Sequence, residues 1–552
     1  MKLLIKNIKE IILFILIGLL VGILSHYFAE VVSVIASLLR GQIDYTKIGY
    51  VGNETAIKII CGLFILAIIV SVLIRFFQIP RFHGPADVIL ASQDAKTPTN
   101  IRAGLLTGCV SFLSLSGGAP VGQYGPLVHL SATFAAMVKK TLFARNLDRE
   151  LLIGCSVAAA IASAFGAPIA GIVFSQEVIL RNFSLKYFAP ITISSSSSFI
   201  FTNFIFGKTS FLLFDAKVTL NPVLILIVIL IGILGAIIAL NYCRLLIFCN
   251  KFSGNLKIKG YFKPFLGATI ISIIGLFIPQ ILGLSAETID LIVQNKLELT
   301  VLIVVFFAKF LLTPISISLN LFGGIFSPAL MLGLCFGGII GIAVDYFVGL
   351  DSSLITLFAI SGMGAVIAPT IGGPITAVLL ILEMSENFSA ATIGMMCIVV
   401  SSITFRAFSN SSFFEMQLVN RGFDIALGSQ NFKLSRIMIS EINRSESCVL
   451  KKEMSNDQKI GVMHKGGYTE AYLVDDDNTF IQKVNIVNLL APDANVEGDD
   501  TCFEEETTLL MAIDILQDFV GESIPIVDKN NCFIGAVTEG DIFSAFKNLT
   551  ED

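Results

Sequence analysis

From the first residues to about Gly422, long apolar runs alternate with short breaks rich in Gly, Ser and Pro. The clearest runs are Ile11 to Ser25, Ile57 to Ile74, Pro222 to Asn241, Leu299 to Pro314 and Ser353 to Met384. About 20 such residues in a helix cross the hydrocarbon core of a bilayer. No water is available there to pair with exposed backbone groups, so the runs predict helices. After Gly422 the pattern changes. Acidic clusters at Asp475 to Asp477 and Glu504 to Glu506 are separated by strand-like patches. We therefore place residues 1–422 in a membrane part, with halves at about 8–215 and 219–420, and residues 423–552 in a polar tail.

Composition supports the division. Of 552 residues, 55% are hydrophobic and only 14% charged, and mean hydropathy is +0.83. A water-soluble surface needs more charge than this. The opening MKLLIKNIKEIILFILIGLL resembles a signal peptide, but no small-residue cleavage site follows it, and it reads as a retained first helix. Lys2, Lys6 and Lys9 beside that helix put the N-terminus in the cytoplasm by the positive-inside bias. Ten cysteines form no CxxC pair or His-associated cluster, so neither a zinc site nor a disulfide framework is indicated. No nucleophile–base pair, phosphate loop or metal cluster stands out, so an enzyme is not expected, nor is a nucleic-acid partner.

The membrane part contains an internal repeat. GAPIAGIVFSQE runs from Gly166 to Glu177, and GGPITAVLLILE from Gly372 to Glu383. In each, a glutamate lies nine residues after a proline, Pro168 or Pro374. Upstream of each is a G-x-x-x-P break, GQYGP from Gly122 and GIFSP from Gly324. Pro126 precedes Pro168 by 42 residues and Pro328 precedes Pro374 by 46. Repeated halves with interrupted helices are a transporter pattern, and the interruptions point to the substrate site.

The breaks suit an anion. Proline in a first helical turn lacks only an N–H that would be unpaired anyway. GQYGP and GIFSP thus read as helices starting inside the protein, with free amides and the positive dipole end facing inward. Helix starts of this kind favour a negative ion. The breaks contain no Lys or Arg, and an anion held by dipoles alone can leave again, as conduction requires.

These motifs resemble the CLC family of chloride channels and transporters. Three family signatures line its ion path: GSGIP, GREGP or GKEGP, and GxFxP. The third stands intact as Gly324, Ile325, Phe326, Ser327 and Pro328. The resemblance implies that the amides of Ile325 and Phe326 coordinate the central anion. The second is Gly122, Gln123, Tyr124, Gly125 and Pro126, with the backbone pattern kept and the acidic residue lost. RFHGPADVI is the most eroded, with His83 at the serine position, Gly84 after it and the proline one place early. The family's late tyrosine falls on Phe414 in SSFFEMQLVNRG.

The substitutions carry a mechanistic expectation. In family members that exchange chloride for protons, a glutamate at the place of Tyr124 occupies an anion site and carries the proton. Tyrosine, with a reference pKa near 10, stays neutral at pH 7. It can gate or donate a hydrogen bond, but it is a poor proton carrier. The exchangers' inner proton glutamate falls at Val178, which resembles the channel branch. Tyr124 and Phe414 are also readable as packing aromatics, and His83 as a structural residue.

In the tail, two segments share the CBS pattern of strand, turn, strand and helix, at about 431–492 and 498–549. In SIPIVDKNNCFIGAVTEGDIFSAF, Thr538 and Asp541 match the family's T-x-x-D, whose hydroxyl meets a phosphate and whose carboxylate meets a ribose. The weaker segment has Asn485 and Asn488 there. An adenine-nucleotide site (ATP, ADP or AMP) and a purely structural dimerising tail remain equal readings, and no other cofactor is expected.

The expected fold is an all-α polytopic membrane domain of two inverted halves with an α/β CBS pair at the C-terminus. The resemblance implies a homodimer with one ion path per subunit, in a bacterial inner membrane with both termini cytoplasmic. The expected function is passive, proton-uncoupled permeation of small anions, chloride by default. Fluoride, nitrate or bicarbonate as the permeant ion, a proton-coupled exchanger and a non-conducting anion or nucleotide sensor stand as alternatives.

Overall fold

A computed structural model describes residues 2–41, 43–78, 81–94, 96–141, 144–207, 222–348, 352–425, 428–442, 446–490, 501–517, 519 and 521–551. The chain divides into two compact units, Met1–Ala426 and Leu427–Asp552. The expected links near 215–219 and 492–498 lie outside the described residues.

The described residues of the first unit form helices joined by short connections. Among its described residues, seven helices are long and apolar enough to cross a membrane, from Asn7–Arg40 to Phe388–Val419. Shorter apolar helices, among them Ile101–Gly117 and Pro374–Ser385, are packed with them. Helices associate in lipid through close backbone approach and small polar side chains. Both are present in the SSSSS run: the Ser194 and Ser198 hydroxyls donate to Cys155 and Ala159 carbonyls, 3.0 and 2.8 Å away. A methyl on Gly18 of the first helix would sit 2.3 Å from the Ser194 carbonyl.

The internal repeat has a structural reason. Pro168–Phe174 and Pro374–Ser385 begin as helices after Gly166 and Gly372, whose φ values of 64° and 76° suit glycine. Their first amides are capped crosswise. Glu177 accepts from the amides of Ile375 and Thr376 at 3.0 and 2.8 Å, and from the Thr376 hydroxyl at 2.7 Å. Glu383 accepts from the amides of Ile169 and Ala170 at 2.9 and 2.7 Å. Each repeat ends in the carboxylate that satisfies the helix start of the other. A carboxylate there also meets the positive dipole end.

The second unit holds two three-stranded sheets of identical topology. In the first, β1 (Val449–Lys451) runs parallel to β2 (Glu470–Val474), which pairs antiparallel with β3 (Phe480–Asn485). In the second, β4 (Phe503–Glu504), β5 (Ser523–Val527) and β6 (Phe533–Thr538) repeat that order. The turns dock reciprocally. Asn478 Nδ2 donates to the Phe533 carbonyl at 2.9 Å, and Asn531 Nδ2 to the Phe480 carbonyl at 3.0 Å. Both asparagines are left-handed, at φ 63° and 62°. Tyr472 and Phe533 stack at 4.9 Å between the sheets.

Glu177→Ala and Glu383→Ala each leave helix-start amides without an acceptor. We expect each to destabilise the protein by about 1–3 kcal/mol, seen as a lower melting temperature in detergent. Glu298→Ala, at a helix start with no side-chain cap, is the control and shifts stability by less than about 0.5 kcal/mol.

Candidate functional site

The GQYGP and GIFSP breaks meet. The Gly122 amide donates to the Gly324 carbonyl at 2.6 Å, and the Gly324 amide returns a bond to the Gly122 carbonyl at 2.5 Å. Side chains would prevent this: a methyl on Gly324 would lie 2.7 Å from the Gly125 nitrogen, and one on Gly125 2.9 Å from the Gly324 Cα. The helices Tyr124–Lys139 and Phe326–Val348 start from this bridge. Among the described residues, the amides of Tyr124, Gly125, Ile325 and Phe326 have no protein acceptor.

Beside the bridge lies a cavity of about 60 Å³. Gly84, Tyr124, Gly125, Gly324, Ile325, Phe326 and Phe414 all line it. Tyr124 is buried, stacked on Phe165 at 3.7 Å and edge-on to Phe326 at 5.4 Å. Beyond Tyr124 is a second cavity of about 70 Å³, walled by Gln123, Tyr124 and Ser327 with apolar neighbours. Gln123 Oε1 and Ser327 Oγ there are buried and without hydrogen-bond partners. Val178 is buried in the π-helical turn Ser175–Leu180, where Gly373 faces it closely, and it offers no titratable group.

The first break needs correction. His83 does not line the cavity; Phe82 and Gly84 do, and Phe82 stacks on Phe322 at 5.0 Å. The His83 ring instead faces Asp87, with Nδ1 3.6 Å from Oδ1, and lies edge-on to His129 at 5.5 Å. Pro85 opens a helix, and its register puts Phe82, one residue earlier than expected, at the wall. The first-break amides are engaged: His83 N–H donates to Thr107 Oγ1 at 3.2 Å and Gly84 N–H to Asp87 Oδ2 at 2.9 Å.

Ionisable groups other than His83 stand near the centre. Arg421 lines the cavity and pairs with Asp87 at 3.0 Å, and Arg81 pairs with the same carboxylate at 2.7 Å. Arg421 stands inside the SSFFEMQLVNRG segment, but sequence reading took only Phe414 from it, because that segment has no repeat partner to mark which other residues reach the cavity. Glu415 caps its own helix start at Ser412 and pairs with Arg181.

The inward helix starts thus fall into two classes. Those at Pro85, Pro168, Pro374 and Phe413 receive a carboxylate, from Asp87, Glu383, Glu177 and Glu415 respectively. Those at Tyr124 and Phe326 receive none among the described residues.

A family model described as voltage gated chloride channel matches residues 66–406, and one described as CBS domain matches residues 499–548. The chain belongs to the voltage-gated chloride channel (CLC) family. It is 25% identical over 340 residues to the voltage-gated ClC-type chloride channel ClcB of Escherichia coli O81 (strain ED1a), covering 61% of this chain and 81% of that protein. Its fold is similar to that of a slow cyanobacterial Cl−/H+ antiporter, with TM-score 0.66 and 21% identity over 75% of this chain and 98% of the other. A eukaryotic CLC transporter aligns with TM-score 0.63 and 16% identity over 98% of both chains. Members of this family are integral membrane anion transporters or channels, and the tail of this chain carries a CBS domain.

In the tail, a cleft of about 150 Å³ between the two sheets is lined by Glu446, Glu470, Glu522, Ser523 and Thr538, with Tyr472 behind them. Glu470 Oε2 takes the amide of Ser523 at 3.2 Å and Lys483 Nζ at 2.7 Å. Burial pushes the Tyr472 phenol up to about 12, so it stays neutral in its contact with Ser523. Thr538 and Asp541 are bonded to each other, Oγ1 to Oδ2 at 2.9 Å, and Asp541 does not line the cleft. Among the described residues, the wall carries three carboxylates and no basic side chain, a lining that disfavours the phosphates of a nucleotide.

Phe82→Ser should open the cavity and change anion flux through liposomes, whereas His83→Ala should leave flux within about twofold. With the full chain, about 1 mM ATP should shift the melting temperature by less than about 1 °C.

Proposed function

We propose that this protein lets small anions, chloride foremost, cross the membrane passively and without proton coupling. The observation that carries the reading is the pair of helix starts at Tyr124 and Phe326. Among the described residues they are held face to face with free amides and no protein carboxylate, while the starts at Pro85, Pro168, Pro374 and Phe413 each hold one. Moving a bare ion into a low-dielectric medium costs on the order of 20 kcal/mol before relaxation, and converging amide dipoles offset much of it. Gly122, Gln123, Tyr124, Gly125, Gly324, Ile325, Phe326 and Phe414 form the path in this reading, with Gly84 in its wall. Tyr124, lying between the two cavities, is its gate.

Absence of coupling rests on chemistry. A proton carrier in the path must titrate near neutral pH, and Tyr124 and Val178 supply no such group. A coupled exchanger is the second reading. It is favoured by the likeness to a Cl−/H+ antiporter and by the His83–Asp87 pair beside the cavity. We further infer a homodimer with one path per subunit, in a bacterial inner membrane with cytoplasmic termini. Its tail is structural rather than a sensor of nucleoside phosphates.

Reversal potentials in reconstituted liposomes test the reading. At fixed chloride, a pH gradient should leave the wild-type potential unmoved; a clear shift means coupled exchange, and no flux means a sensor. Tyr124→Glu should make flux pH-dependent, because a buried carboxylate titrates nearer neutrality.

A further inference from the structure

On the far side of Tyr124, the small cavity shares Leu284 and Ala286 with a larger one of about 460 Å³. That vestibule is lined by Ser33, Ser37, Arg40, Tyr45, Ser285 and Glu287, among others. Arg40 is only 7% exposed. Its Nη1 donates to the Leu282 carbonyl at 3.0 Å and its Nη2 to the Leu115 carbonyl at 3.3 Å, while Nε has no partner. A second cation lies behind the same loop. Lys309, 1% exposed in an otherwise uncharged helix, donates to the carbonyls of Ile281 and Gly283 at 2.8 and 3.1 Å and to Ser285 Oγ at 2.8 Å. Two buried cations therefore share three consecutive carbonyls. Gly283, at φ 62°, makes room: a methyl there would sit 2.1 Å from Arg40 Nη2.

No carboxylate forms an ion pair with Arg40 or Lys309 among the described residues, although Glu287 stands in the vestibule wall. Carbonyl dipoles solvate these charges but do not neutralise them. Buried charge without a counter-ion is costly and marks functional positions in membranes. Gln123, at the gate, adds no charge to the region.

We propose that Arg40, backed by Lys309, makes this vestibule a binding site for a small inorganic anion waiting to pass Tyr124. The anion supplies a contacting counter-charge, which Glu287 in the same wall does not, with the Ser285 and Tyr45 hydroxyls beside it. This rests on the anion-path reading above and adds where ions collect before the gate. A buried cation without a contacting carboxylate raises the local anion concentration, the nearby Glu287 lowers it, and salt screens both effects.

The test is chloride flux from liposomes holding the full-length protein, at ~10 mM ionic strength and at ~0.5 M set with sodium isethionate. Arg40→Gln should cut flux about tenfold at low ionic strength and less than about twofold at high, with Arg40→Lys close to wild type. Should Arg40→Gln fail to fold by its melting profile, Glu287→Gln reads the same field, raising flux about threefold at low ionic strength only. An Arg40→Gln protein that folds and loses nothing at low ionic strength, or loses equally at both, overturns the vestibule site; so does an unresponsive Glu287→Gln. Wild-type flux no greater than that of empty liposomes overturns the anion path itself.

Discussion

Two backbone hydrogen bonds between Gly122 and Gly324 set the geometry on which the membrane unit depends. They hold two helix N-termini against each other, each carrying roughly half a positive charge. Like-signed dipole ends repel, and the low dielectric around them strengthens the repulsion. The bridge tolerates this because glycine lets the backbones approach within bonding distance, and because the aromatic layer of Tyr124, Phe165 and Phe326 packs against the starts. What remains is a focus of positive potential made from main-chain groups, and a negative ion is the species that relieves it.

The same unit shows what it does when a helix start is meant to be closed. Glu177 and Glu383 reach across the pseudo-symmetry to cap the opposite repeat, and Asp87 and Glu415 cap starts of their own. Crossing makes each half incomplete alone, since its inner helix start is satisfied only by the other half. The tail solves a different problem in the same way, with Asn478 and Asn531 exchanging bonds between equivalent turns. Reciprocal exchange is economical for duplicated sequence, because one residue type at one position serves both copies.

Much of the cavity wall was legible from the chain. Gly84, Tyr124, Gly125, Gly324, Ile325, Phe326 and Phe414 meet at one cavity, and Gly122 and Gln123 sit beside it. Other parts were not. The eroded RFHGP break left its register open by one residue, and only the helix starting at Pro85 put Phe82 at the wall with His83 turned to Asp87. Arg40 carries no motif, and the segment that holds Arg421 was read only for Phe414, so their place beside cavities follows from packing alone. Lys309 did carry a signal, a lone cation within the apolar run from Leu299, but not what it touches.

By itself the sequence determined the membrane class, the change of character after Gly422 and the duplicated glycine–proline–glutamate units. Apolar length, charge density and turn chemistry act locally and add along the chain, so they survive without a structure. The tertiary structure alone decided which helix starts are closed by carboxylates and which stay open. That choice depends on partners far apart in sequence, such as Glu177 and Thr376, 199 residues distant. No local pattern encodes whether such partners arrive.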